Sequence, residues 1–299
     1  MSTLSISARR RGIVAAVLAA TVAVTGIVVA GPAQSASAAS GTSSTISATT
    51  TGVPQGTKLK VHNGDLVIKT AGTVIDGLDI RGFVRVEAQN VTIKNSIVRG
   101  RQTSGNATMI YAGTGKSAGL VVRNTEIAPT YKTPLTNGVY GWDFTLDRVN
   151  IHDVIDSVHI FGNNVTVANS WLHNNLHFTN DPYHEDGSHD DNIQIQKGSN
   201  IVIANNKIDG SYNAALMITQ DQGAVSNVRL SNNWIAGGGC TVNIAEKGKG
   251  AIMGVKITDN VFGGSRFGCS VIHPPTTDVY QKGNTKADGS IVRIDRRAQ

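Results

Sequence analysis

One short pattern recurs along this chain and leaves few folds open to it: alternating β-branched residues, a Gly or Asn, two more residues, another apolar residue, and often a Gly. It reads Thr73-Val74-Ile75-Asp76-Gly77-Leu78-Asp79-Ile80-Arg81-Gly82, and again Val91-Thr92-Ile93-Lys94-Asn95-Ser96-Ile97-Val98-Arg99-Gly100. Further copies centre on Val122, Leu146, Val167, Ile203, Leu230 and Ile257, so successive centres lie 18, 29, 24, 21, 36, 27 and 27 residues apart. Alternation of period two turns one face of each strand inward. No strand this short can bury that face alone. Parallel stacking at about 4.8 Å joins the faces into one core, and irregular but bounded spacing marks a solenoid whose loops vary while its core does not. Asn95, Asn124, Asn169, Asn205 and Asn232 each fall two residues after a centre, where a tight bend is needed. Asn tolerates left-handed backbone angles there, and these five are expected to form an internal amide stack that bridges coils.

On these repeats the chain resembles the pectate-lyase-like superfamily of right-handed parallel β-helices, from residue 57 to residue 299. The resemblance implies an all-β fold. That superfamily is mostly polysaccharide lyases and glycoside hydrolases, with some binding proteins and phage fibres, so the fold alone selects no function.

The flanks bear on where the protein works. Arg9, Arg10 and Arg11 precede an uncharged apolar run and the small residues Ala36, Ser37 and Ala38, the pattern of a cleavable export signal over residues 1–39. Removing it takes three of 27 basic residues and none of the 21 acidic ones, so the formal charge falls from +6 to +3. That balance suits an acidic polysaccharide and gives no basis for nucleic-acid binding. No later segment approaches membrane-spanning length, and a secreted, extracellular monomer is expected. Residues 40–56, rich in Ser, Thr and Gly, read as a flexible lead-in. Cys240 and Cys269 are the only cysteines and follow neighbouring centres by 10 and 12 residues. A disulfide between adjacent coils is expected in an oxidising compartment, with two buried free thiols as the alternative.

A second strand in each coil can be placed by its own alternation. With Val139, Val158, Ile160, Ile193, Ile195, Leu216, Ile218, Val242 and Ile244 inward, Tyr140, His159, Gln194, Met217 and Asn243 form one outward column. A one-residue slip would turn His159 inward. The longest interval, Val167 to Ile203, holds the densest polar cluster: His173, His177, Asp181, Tyr183, His184, Glu185, Asp186, His189, Asp190, Asp191 and Asn192. Histidines and carboxylates concentrated beside a groove point to a site.

Three chemistries fit these residues. In β-elimination from a uronate, His159 or His189 is the base, Tyr140 or Tyr183 the acid, and Asn192 and Gln194 hold the carboxylate. In hydrolysis, Asp190 and Asp191 act as the carboxylate pair. The stretch Asp190-Asp191-Asn192-Ile193-Gln194-Ile195 is similar to a polygalacturonase segment, whose Gly-His-Gly and Arg-x-Lys companions are missing here. In the third, Asp181, Glu185 and Asp186 bind calcium; no cofactor is otherwise required. Asn243, Tyr183, His184, Lys197 and Lys247 are expected to contact the glycan. The segment Ser188-His189-Asp190-Asp191 and the compact build resemble small secreted bacterial polysaccharide lyases, hyaluronate lyases above all, which implies elimination on an acidic glycan such as hyaluronan. A glycoside hydrolase and a non-catalytic carbohydrate-binding solenoid are the alternatives.

Overall fold

A computed structural model describes residues 45–297. The expected signal segment, 1–39, lies outside them. Among the described residues twenty-eight strands, Lys60–Asn63 first and Ile294–Arg296 last, follow one another without an intervening α-helix. Every strand pairs in parallel with its counterpart one coil away. The chain is a single-stranded right-handed parallel β-helix.

Each coil passes through three sheets. In the first coil these are Lys60–Asn63, Leu66–Ile68 and Val74–Asp76. The first sheet has ten strands, and the second and third are joined through one long strand, Asp191–Ala204. In the third sheet the repeat centres stand in exact register, Ile75 beside Ile93, then Val122, Leu146, Val167, Ile203, Leu230 and Ile257, with Gln281 as a ninth member. From Ile93 to Ile257 these centres are at most 1 % exposed. A continuous apolar spine follows from the alternation, as stacking requires.

Between the third sheet and the first sheet of the next coil, the turn has two residues with divided roles. The first adopts a positive φ: 47° at Asn95, 48° at Asn124, 52° at Asn169, 57° at Asn205 and 56° at Asn232. The second is buried, and it carries the ladder. Asn206, Asn233, Asn260 and Asn284 are linked amide to amide, each accepting at Oδ1 from the side chain of the one before at 2.9–3.0 Å. The expected internal stack therefore sits one residue later than the sequence suggested. The left-handed residue must point outward so that its successor can turn in.

The lead-in is tied to the solenoid over its described part. The Gly52 amide donates to Arg148 O at 3.0 Å, and Thr51 is buried, so these two residues of the expected lead-in pack against the coils. At the other end of the helix Cys240 and Cys269 are directly paired in the second sheet and form a disulfide, with Cα atoms 4.9 Å apart.

Candidate active site

The second sheet places its outward residues in one column. Arg85 pairs with Tyr111, Tyr111 with Tyr140, Tyr140 with His159, His159 with Gln194, Gln194 with Met217 and Met217 with Asn243. All nine residues expected to point inward are fully buried, so the register is the predicted one and His159 faces out.

Loops between the first and second sheets rise beside this column. Most are short, but Asn174 to Asp190 separates Trp171–His173 from Asp191–Ala204 and forms a wall. Its tip is tethered by the Tyr183 hydroxyl, which donates to Asn106 Oδ1 at 3.1 Å, three coils toward the N-terminus. Two hollows of about 760 and 950 Å³ lie along the sheet and share Gln194, Gln196, His184 and His189. They make one groove with a junction over Gln194. At that junction the His184 and His189 rings stack, 4.1 Å apart, each paired with its own carboxylate, Asp181 and Asp186.

The groove floor carries two carboxylates on neighbouring coils. Asp156 lines the first hollow and Asp191 the second, and both are at most 5 % exposed. The backbone N–H of Asp191 donates to Asp156 Oδ1 at 2.9 Å, and Asn213 Nδ2 donates to Asp191 Oδ1 at 2.8 Å. Burial, with the charge of Asp190 adding to it, pushes the Asp156 carboxyl up to about 7 against the opposing hydrogen bond from Asp191. Burial and then the charge of Asp156 hold Asp191 well above the usual carboxylate range. Burial and the neighbouring negative charge both favour the protonated form of each acid.

His159 sits over this pair. Its Nδ1 is 3.4 Å from Asp156 Oδ2 without the alignment of a hydrogen bond, and neither ring nitrogen has a hydrogen-bond partner. Burial lowers its pKa to about 4, so the ring is neutral above that pH. Tyr140 packs edge-on against it at 5.5 Å, and burial, helped by Tyr111, raises the phenol pKa and keeps it protonated.

Of the residues singled out in the sequence, the structure gathers Tyr140, His159, Tyr183, His184, His189 and Gln194 at the first hollow, and Asp191, Asn243 and Lys247 at the second. Three expectations are corrected. Asp190 lines neither hollow: it is fully buried, with Oδ1 2.8 Å from His177 Nδ1 and Oδ2 accepting the Tyr212 N–H at 2.6 Å. Asp190 ends the loop just before the strand Asp191–Ala204, and its bonds to His177 and Tyr212 turn it away from the groove. Asn192 is also fully buried and gives its amide to Leu172 O and Asp209 O inside the coil. It cannot hold a substrate carboxylate. Lys197 lines neither hollow because a register shift after Ile160 pairs Phe161 with Lys197 and skips Gln196, carrying the lysine round toward the third sheet.

A calcium ion needs six to eight oxygen ligands, and Asp181 and Asp186 are each committed to a histidine. Among the described residues no three His, Cys, Asp or Glu side chains are grouped to hold a metal, so the fit of Asp181, Glu185 and Asp186 to calcium is poor. Asp156 was missed by sequence reasoning. The signal was available, since it precedes the inward Val158 by two residues, as Asp191 precedes its registered partner Ile193.

No family model matches the chain and no curated protein matches its sequence. Among solved structures it is similar to the catalytic domain of a GH87 alpha-1,3-glucanase in complex with nigerose, at 14% identity and TM-score 0.45 over 72% of this chain and 50% of that one. A second match is the Dettilon tailspike protein, at 13% identity and TM-score 0.41 over 78% of this chain and 60% of that one. The chain thus spans half the length of the first and three fifths of the second. These likenesses concern the course of the backbone and assign neither substrate nor reaction to the groove.

Proposed function

We propose that this protein cleaves a polysaccharide laid along the second sheet, and that it does so by hydrolysis with Asp156 and Asp191 as the acid and base pair. The observation that carries this reading is the stacking of two buried, raised-pKa carboxylates on neighbouring coils, one lining each hollow, at the junction of the groove. Glycosidic hydrolysis requires one protonated and one ionised carboxyl near the same bond. One of the two protonates the leaving oxygen, and the other takes a proton from the attacking water. Gln194, which lines both hollows, orients the sugar ring across the cut.

A second reading is elimination from a uronate such as hyaluronan, with His159 as base and Tyr140 as acid. It is favoured by the unpartnered imidazole beside a phenol held protonated. One assay separates the two. Incubation of the protein with a glycan panel is expected to release reducing ends without ultraviolet absorbance at the unsaturated-uronate band. Absorbance appearing with each cut would transfer the chemistry to His159 and Tyr140, and release of neither signal from any glycan would leave the groove a binding surface.

A further inference from the structure

Every cation lining the groove is committed to a carboxylate, among the described residues. Arg101 is held by both oxygens of Asp65, Nε at 2.9 Å and Nη2 at 2.8 Å. Arg85 lies over the Tyr111 ring and meets Glu87 at 2.6 Å. Lys247 Nζ is 3.9 Å from Asp221. His184 and His189 carry their own aspartates. These three Lys and Arg side chains face six carboxylates along the two hollows, so the groove has no surplus positive charge for a polyanion. A uronate brought here would have to displace Asp65 from Arg101, Glu87 from Arg85 or Asp221 from Lys247, exchanging one ion pair for another with no gain in charge complementarity.

The remaining polar groups are of another kind. Asn137, Gln194, Gln196, Asn213 and Asn243 line the groove, and a side-chain amide both donates and accepts. A sugar hydroxyl does the same. From Arg85 to Asn243 the column crosses seven strands, or roughly 29 Å at about 4.8 Å per strand, room for a chain of several sugars.

We infer that the groove takes a neutral, hydroxyl-rich glycan and not a uronate polymer. This rests on the reading of the groove as a polysaccharide site, and it removes the substrate that elimination needs. It also replaces the acidic partner that the mildly basic composition suggests, because net charge is spread over the whole surface while the groove's own cations are spent.

The test is a binding titration of the full-length Asp156→Asn protein against neutral α- and β-glucan hexasaccharides and against hyaluronan and polygalacturonate oligomers of the same length. At least one neutral oligomer is expected to bind about tenfold or more tightly than either acidic one, a difference of about 1.4 kcal/mol, with an affinity that does not change with salt. Asp65→Asn and Asp221→Asn, which free Arg101 and Lys247, should each raise affinity for the acidic oligomers about tenfold and make it salt-dependent. Tighter binding of an acidic oligomer by the protein with Asp65 and Asp221 intact, strengthening as salt is lowered, overturns the inference, as does failure to bind any neutral glucan. Neutral binding with no bond cleaved by the unsubstituted protein would sink the hydrolytic reading and leave this one standing.

Discussion

The Asp191 amide is bonded to the Asp156 carboxylate across two coils, 2.9 Å from N to Oδ1, which locks the two acids of the groove floor to one backbone geometry. The Asp156 carboxyl is held by the backbone of the next coil, and the Asp191 carboxyl by Asn213. Such rigidity is what an acid and base pair needs, since the sugar must meet both at once.

Removing either carboxyl should therefore stop turnover while sparing binding. Asp156→Asn and Asp191→Asn are each expected to lower kcat by about 10²–10⁴-fold with KM changed only a few-fold. Steady-state kinetics on a cleaved glycan check this. A kcat within threefold of the unsubstituted protein in either variant would remove that residue from the chemistry.

Protonation of the same site should leave a mark on stability, and the sign can be worked out. Asp156 has its folded-state pKa raised to about 7, so its stabilising contribution is complete below the unfolded value near 4 and is lost as pH rises to about 7. His159 is lowered to about 4, so its contribution is present above about 6.5 and is lost as pH falls toward 4. Asp156→Asn should gain on the unsubstituted protein by on the order of 2–4 kcal/mol between pH 4 and pH 7.5, and His159→Gln should gain in the opposite direction. Denaturant melts at the two pH values measure both differences, and parallel profiles for all three proteins would contradict the assignment.

Asp190 is expected to matter to folding and not to chemistry. Its carboxyl is fully buried against His177, whose ring stacks on Tyr212 at 3.7 Å. Losing either side chain leaves its hydrogen-bond partner unsatisfied, at about 1–3 kcal/mol. His177→Ala and Asp190→Ala should each lower unfolding free energy by that amount and expose the loop of residues 174–190 to proteolysis. An Asp190→Ala protein of normal stability that turns over nothing would restore it to the catalytic pair.

Neighbouring asparagines of one turn should respond in opposite ways. Asn233 accepts from both nitrogens of Asn206 and donates to Ile203 O, Ser231 O and Asn260 Oδ1, so Asn233→Ala leaves several buried groups unpaired and should cost about 3–5 kcal/mol. Asn232 is exposed with φ at 56°, which glycine adopts readily, so Asn232→Gly should change stability by about 1 kcal/mol or less. Equal losses at the two positions would refute the division of roles.

The fold was legible because its cause is local and repeated. The same alternation around Ile75, Ile93 and Val122 recurs in every coil, and stacking turns that repetition into register. The outward column from Tyr140 to Asn243 followed from the same rule. What could not be read was whatever depends on corners. Asn192 and Lys197 lie where the chain bends from one sheet to the next, and there alternation no longer tells inside from outside. Asp156 is a different case: its place two residues before Val158 matches that of Asp191 before Ile193, but a loop of seventeen residues between their strands masks the correspondence in the sequence.

The buried turn residues change character along the axis. Ser96, Thr125 and Ser170 each donate from a hydroxyl to a carbonyl two residues back, within their own turn, while from Asn206 onward each rung clasps the next side chain to side chain. Toward the N-terminus the buried hydroxyls join coils only by accepting a backbone N–H, Leu78 to Ser96 and Val149 to Ser170, while toward the C-terminus the amides both accept and pass the bond on, so a continuous side-chain thread runs through that half alone. The change falls between Ser170 and Asn206, in the coils that bear Asp156 and Asp191 respectively. The end of that thread therefore lies beside the gap that a bound sugar would span.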